Sequence, residues 1–275
     1  MKWLLRYIVK LVFMVPIGVV YQWIFNRGHQ PVILMYHRVH DAVEKELAIK
    51  VDHFKWQMAY LQGHGYHVIS MDELVERIKT NRTAEKYIVL TFDDGYNDYA
   101  EEAVPILKTY HYPSLNYFVP GFIDTDRRYW WDEDLDGAQT MTWSQIDALN
   151  KNPLVTFGAH TMTHPDLDKL PGEAIQHELR QSQHVLEAQL HKPVSHFSYP
   201  RGRMSPEAVE HVHQLFQTGV LIFSGIPIPQ VHAKQDLARL KRVPIQRSDG
   251  KLLFVARIKG WLIVEEWLRK VFKVI

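Results

Sequence analysis

Short apolar runs rich in β-branched and aromatic residues recur along this chain, separated by stretches where apolar positions return every three or four residues. The runs predict strands buried on both faces, and the intervening stretches predict amphipathic helices. Residues 32–36, 66–70, 87–92, 115–119, 154–157, 194–197, 219–223 and 242–245 read as strands. Residues 54–61, 71–79, 99–110, 142–149, 172–190 and 206–218 read as helices, with Asp72 placed to cap the second. Alternation of this kind builds a parallel sheet, so the expected class is α/β. No repeat, low-complexity tract or linker divides residues 31–250, which read as one barrel-sized domain.

The ends have a different pattern. Lys2, Arg6 and Lys10 precede an apolar stretch over 11–21 that continues to Phe25. The stretch is short against the ~20 residues of a membrane span, but it lengthens if Trp3 to Val9 join it and the basic side chains snorkel. Bulky residues follow where a cleavage site would need small ones. An uncleaved anchor over 1–30 is therefore expected rather than a cleaved signal, with an interfacial or buried helix as the alternative. The flanking cations would then leave the rest of the chain on the periplasmic or outer face of an inner membrane, the cytoplasmic face being the other possibility. Over 251–275, Phe254, Ile258, Trp261, Leu262, Leu268 and Phe272 recur at helical spacing between charged residues. They predict an amphipathic helix that suits a membrane surface or packing on the domain equally well.

Charge sharpens this division. Each end carries a net +4, so within a formal net charge of +1 the body carries −7. An acidic body between basic, apolar ends argues against nucleic acid as a partner and points the termini towards an anionic membrane surface. Cysteine is absent, so any metal must be held by histidine and carboxylates. Nothing in the pattern bears on oligomeric state.

Four places carry candidate chemistry. Asp93-Asp94-Gly95 ends a predicted strand in adjacent carboxylates, which repel each other unless a cation ligates one and leaves the other as a base; capping of the following helix is the alternative. His160 and His164 are four residues apart, but Pro165 disfavours a helix at His164, so the pair belongs to a loop or tight turn. With Asp94 they make two imidazoles and one carboxylate, a ligand set suited to catalytic zinc. Ser198-Tyr199-Pro200-Arg201-Gly202 and Tyr36-His37-Arg38 also follow strands, and in α/β barrels that end builds active sites.

The stretches 33–39, 91–96, 160–167 and 197–202, occurring in order, resemble the motifs of the polysaccharide deacetylases of carbohydrate esterase family 4, which share the NodB-homology domain. The resemblance runs from about residue 31 to residue 248 and implies an irregular (β/α) barrel of about seven parallel strands. It implies Asp94, His160 and His164 as ligands of one divalent metal ion, Zn2+ first with Co2+, Ni2+ or Fe2+ as alternatives. It implies Asp93 as general base and the main-chain N–H of Arg201 as oxyanion donor, with Tyr199 and Pro200 lining the substrate. The reaction implied is hydrolysis of an acetyl group, most often N-acetyl, from a glycan or its lipid-linked precursor. A hydrolase of another C–N or ester bond, or a glycan-binding protein with weakened catalysis, are the alternatives. Two departures stand out. Ser198 occupies the position where the family often has an arginine that orients the base, and residues 237–244 lack the family's histidine. Arg242, or else Arg239, is expected to approach Asp93 from the last strand, and His37 is the candidate for proton donation or for lining the pocket. Trp131 is expected to stack on a sugar face and Asp132 to bind an amine or hydroxyl, with a core role for at least one Trp of the 130–131 pair as the alternative.

Overall fold

In the computed structural model, which describes residues 2–25, 30–83, 86–132, 139–222 and 236–272, the apolar strand runs lie between two packed layers. An apolar helical rod comes first, made of α1 (Lys2–Val9), a π-helical turn (Lys10–Met14) and α2 (Val15–Phe25). Then follow β1 (Val32–Tyr36), a small pair of strands β2 (Arg38–Val39) and β3 (Ala48–Ile49), α3 (Val51–Gly63), β4 (His67–Val68) and α4 (Met71–Lys79). β5 (Tyr87–Phe92), α5 (Val104–Thr109), β6 (Ser114–Phe118), α6 (Trp143–Asn150), β7 (Val155–Ala159) and α7 (Gly172–Leu190) continue the alternation. β8 (His196–Ser198), α8 (Pro206–Leu215), β9 (Thr218–Leu221), β10 (Leu240–Pro244), α9 (Gly250–Ile258) and α10 (Ile263–Phe272) complete it.

Among the described residues the main sheet is wholly parallel, in the order β1-β10-β9-β8-β7-β6-β5-β4. Its two ends meet, because β1 pairs with β10 on one edge and with β5 on the other. Seven strands therefore close into a barrel, while β4 is added at the amino end of β5. Closure pairs both edges of each of the seven barrel strands.

The two-residue period of each strand sorts its side chains. Val32, Leu34 and Tyr36 of β1, with Ile88, Leu90 and Phe92 of β5, face the helical layer, where Phe54 and Met58 of α3 meet them. Ile33, Val89, Leu115, Tyr117, Val220 and Leu240 fill the barrel, which Met71, Leu74 and Ile78 of α4 stopper at the amino end. Full burial of each such side chain contributes about 1.5–3 kcal/mol. At the carboxyl end the buried residues become polar, with Thr91, Ser198 and Arg242 taking over.

Several boundaries differ from expectation for local reasons. Ser70, not Asp72, caps α4 by accepting the Glu73 N–H. α8 stops at Leu215 because Phe216 is already extended towards β9, and Phe223, expected in that strand, lies outside the described residues. The single amphipathic helix expected over 251–275 is, among the described residues, two helices, since Gly260 takes a positive φ of 69° between α9 and α10.

The ends of the chain pack on each other. Tyr7, Leu11, Met14 and Val15 contact Leu253, Ala256 and Leu262. Gly18 lies so close to the main chain of Trp261 that a Cβ there would be 1.8 Å from its carbonyl oxygen. Lys10, expected to snorkel, is instead buried and donates to Gln246 at 2.7 Å and Asp249 at 3.2 Å, with Glu265 3.3 Å away. Arg257 reaches the same two acids. Two cations and two anions thus satisfy one another where an unpaired charge would be costly. Much of the rod stays exposed, with Leu4, Leu5, Ile8, Val12, Phe13, Ile17 and Trp23 among its exposed residues. Residues 4–24 are long and apolar enough to cross a membrane. Residues 26–29 of the expected anchor and residues 273–275 lie outside the described residues.

Candidate active site

Every motif singled out in the sequence reaches the carboxyl mouth of the barrel. Asp93 continues β5, its N–H donating to the Tyr36 carbonyl at 3.0 Å, so its side chain follows Thr91 into the barrel. Asp94 then turns with a φ of 72° and Gly95 with 65°. Any other residue at 95 would drive its Cβ to 2.4 Å from the Phe118 ring. The double turn aims the two carboxylates of one dipeptide at different targets, and neither serves as a helix cap.

His160 follows β7 and donates its main-chain N–H to the Phe118 carbonyl at 2.8 Å. Its Nδ1 lies 2.7 Å from the Ser198 carbonyl, which makes Nδ1 the protonated nitrogen and leaves the Nε2 lone pair free. Thr161 and His164 both have positive φ, which gives the tight turn that Pro165 foreshadows. Glu178 on α7 pins this turn by accepting from the N–H groups of Met162 and Thr163 and from the Thr163 hydroxyl, at 2.7–2.9 Å. Its spacing from the histidines bears no motif signature, and only packing of α7 under the loop identifies it.

Among the described residues, Asp94, His160 and His164 form a group whose ligand atoms all lie within 4.8 Å of one another. Nε2 of His160 and of His164 are 3.5 and 3.7 Å from Asp94 Oδ1, which is buried without a hydrogen-bond partner. Burial lowers both imidazole pKa values, keeping the rings neutral and able to ligate. Burial raises Asp94, and the neighbouring Asp93 and Asp132 raise it further. A buried carboxylate, an orphaned oxygen and two neutral imidazoles fit a divalent cation.

Asp93 has the opposite environment. Arg242 of β10 donates to both its oxygens, at 2.6 and 2.5 Å, and to Thr91 at 3.1 Å. Ser198 donates to Asp93 at 3.3 Å and accepts from Arg242 at 2.9 Å. Burial alone would raise the Asp93 carboxyl, but the guanidinium outweighs it and holds the group well below the ordinary carboxylate range. Arg239 lies elsewhere, on Asp236.

The cavity over these groups has a volume of about 310 Å³, and His37, Arg201, Trp131 and Asp132 line it. His37 Nε2 is 3.9 Å from Asp94, and burial lowers its pKa to about 4. A neutral imidazole suits lining the pocket rather than donating a proton. Arg201 has a φ of 55°, and its guanidinium pairs with Asp166 at 2.6 Å. Trp131 stacks on Tyr129 with centroids 4.7 Å apart and donates to the Tyr96 hydroxyl at 2.9 Å. Tyr96 in turn donates to Asp132. Tyr96 and Tyr129 were not singled out in the sequence; Tyr129 donates to the Asp94 carbonyl at 3.0 Å and so braces the turn. Tyr199 and Pro200 depart from expectation. Both are buried, and Tyr199 packs edge-on against Phe197, because Ser198 takes the inward position of β8 and Tyr199 points to the helical layer.

Comparison with known proteins agrees with this geometry. The polysaccharide deacetylase family model matches residues 80–220. The Bacillus subtilis protein YxkH, itself named as a polysaccharide deacetylase, is 24% identical over 195 residues, or 70% of this chain and 64% of that one. The poly-beta-1,6-N-acetyl-D-glucosamine N-deacetylase of Escherichia coli K12 is 29% identical over 136 residues, 47% of this chain and 20% of the enzyme. The chain thus spans less than two thirds of either relative. The Streptococcus pyogenes deacetylase PplD, solved in complex with acetate, superposes with a TM-score of 0.71 at 25% identity, covering 84% of this chain and 99% of that one. IcaB of Ammonifex degensii gives a TM-score of 0.70 at 22% identity, covering 87% and 97%.

Proposed function

Because this chain belongs to the polysaccharide deacetylase family, we propose that it is a metal-dependent hydrolase that removes acetyl groups, most often N-acetyl, from a glycan. The observation that carries the reading is the division of one dipeptide between two environments. Asp94 faces two neutral imidazoles, and Asp93 faces a guanidinium.

Asp94, His160 and His164 would hold the divalent ion, Zn2+ being the best match to two imidazoles and a carboxylate. When bound, that ion supplies Lewis acidity at the acetyl oxygen and a place for water. Asp93, ionised and locked by Arg242 and Ser198, takes the proton from the attacking water. The water oxygen bonds to the acetyl carbon, and the main-chain N–H of Arg201 meets the developing oxyanion. Asp93 returns its proton to the nitrogen as the C–N bond breaks, which leaves acetate and a free amine. Trp131 provides a flat apolar face for the sugar ring. This route needs no separate histidine acid.

The termini support a reading in which this chemistry sits at a membrane surface. The exposed stripe from Leu4 to Trp23 would lie in the interface, while the Lys10 network ties the rod to the barrel. A helix held along the domain in this way favours an interfacial anchor over a free span.

The test is acetate release from N-acetylglucosamine oligomers, expected to vanish on chelation, in Asp94→Asn and in Asp93→Asn. Glycan binding without acetate under any divalent metal would overturn the enzyme reading.

A further inference from the structure

A second cavity, of about 630 Å³, opens beside the first. Leu5, Val9 and Met14 of the N-terminal rod form one wall, and Met35 and Pro244 at the barrel mouth form the other. Glu46, Leu47 and Ile222 line both cavities, so an apolar groove and the catalytic pocket share a partition.

We propose that this groove holds the apolar tail of the substrate, which is an N-acetylated sugar joined through phosphate to a single long apolar chain. The inference rests on the deacetylase reading and narrows its substrate. Four observations favour this occupant. The groove abuts the pocket, so a sugar over Asp94 and a tail against Leu5 and Val9 belong to one molecule. The rod that forms the outer wall is the segment long and apolar enough to enter a bilayer, so a tail leaving the groove passes into lipid. Arg6, an exposed cation, stands on the groove and complements a phosphate, whereas the other cation there, Lys10, is already engaged by Asp249 and Glu265. Glu46, with a buried carboxylate oxygen lacking a partner, sits at the partition where sugar hydroxyls would pass.

The experiment uses the full chain in phospholipid nanodiscs with added zinc. Three probes are compared, each carrying N-acetylglucosamine: its diphosphate bearing a farnesyl chain, the same diphosphate bearing a methyl group, and a diacylglycerol phosphate conjugate. The expected result is a kcat/KM about tenfold or more higher for the farnesyl probe than for the methyl one. Leu5→Trp, which fills the groove from its exposed side, should reduce that ratio about fivefold or more through KM, and Val9→Phe should act in the same direction if Leu5→Trp does not fold. Equal turnover of farnesyl and methyl probes overturns the groove while leaving deacetylation intact. So does a preference that both groove variants retain, which would reflect recruitment to the membrane alone. Faster turnover of the diacylglycerol conjugate overturns the single-chain occupant. Acetate from none of the probes, nor from N-acetylglucosamine oligomers, overturns the deacetylase reading itself.

Discussion

Arg242 grips both carboxylate oxygens of Asp93, at 2.6 and 2.5 Å, across 149 residues of sequence. The two meet because barrel closure sets β10 beside β1, and β1 beside β5. Ser198, between them, donates to Asp93 and accepts from Arg242, and so bridges both partners.

Removing that guanidinium should move the pH profile. The folded pKa of Asp93 lies below its unfolded value of about 3.9, so the pair stabilises the fold above that range and loses its contribution as pH falls through the folded value. Between about pH 5 and 8 the wild-type pair should therefore be pH-independent. In Arg242→Met the buried carboxylate loses its counter-charge, burial pushes its pKa up, and the acid limb of kcat/KM shifts to higher pH. Activity should fall roughly 100-fold, with partial rescue by Arg242→Lys. An acid limb that stays in place would show that Arg242 does not tune the base.

His37 separates two routes for the leaving proton. With the imidazole held neutral, His37→Gln should raise KM several-fold and leave the alkaline limb of kcat where it was. Loss of that limb would make His37 the acid and displace Asp93 from the role.

Glu178 makes no contact with the ligand atoms, yet it fixes the turn between them. Glu178→Gln keeps one acceptor oxygen but gives up charge-assisted bonds. Zinc affinity, measured by competition with a chromogenic chelator, should drop about tenfold, and Glu178→Ala should drop it further. Unchanged affinity in the alanine variant would mean the turn holds itself.

Deleting the N-terminal rod is a poor test of membrane binding, because it would expose Leu253 and Leu262 and strip Lys10 from Asp249. Phe13→Asn with Trp23→Gln alters only side chains that are 64% and 82% exposed. Sedimentation with anionic vesicles should fall several-fold while the Tm stays within a few degrees. Undiminished sedimentation would assign the surface contact to another part of the protein.

Much of this protein can be read from its chain. Strand and helix order follow from periodicity, since two-residue and 3.6-residue repeats are local properties of the backbone; residues 32–36, 71–79, 87–92 and 172–190 coincide with β1, α4, β5 and α7. Asp94, His160 and His164 were legible because ligand chemistry demands particular residue types at strand ends. Tertiary structure alone decided what depends on long-range closure. It turned Tyr199 out of the pocket, buried Lys10 against Asp249, and put Glu178 under the histidine turn, while it bore out Arg242, the first of the two expected arginines, on Asp93. Each of these joins side chains that are distant in sequence or sorted by strand face, so no local repeat encodes it. The groove beside the catalytic pocket has the same origin, since its walls join the N-terminal rod to residues as distant in sequence as Ile222 and Pro244.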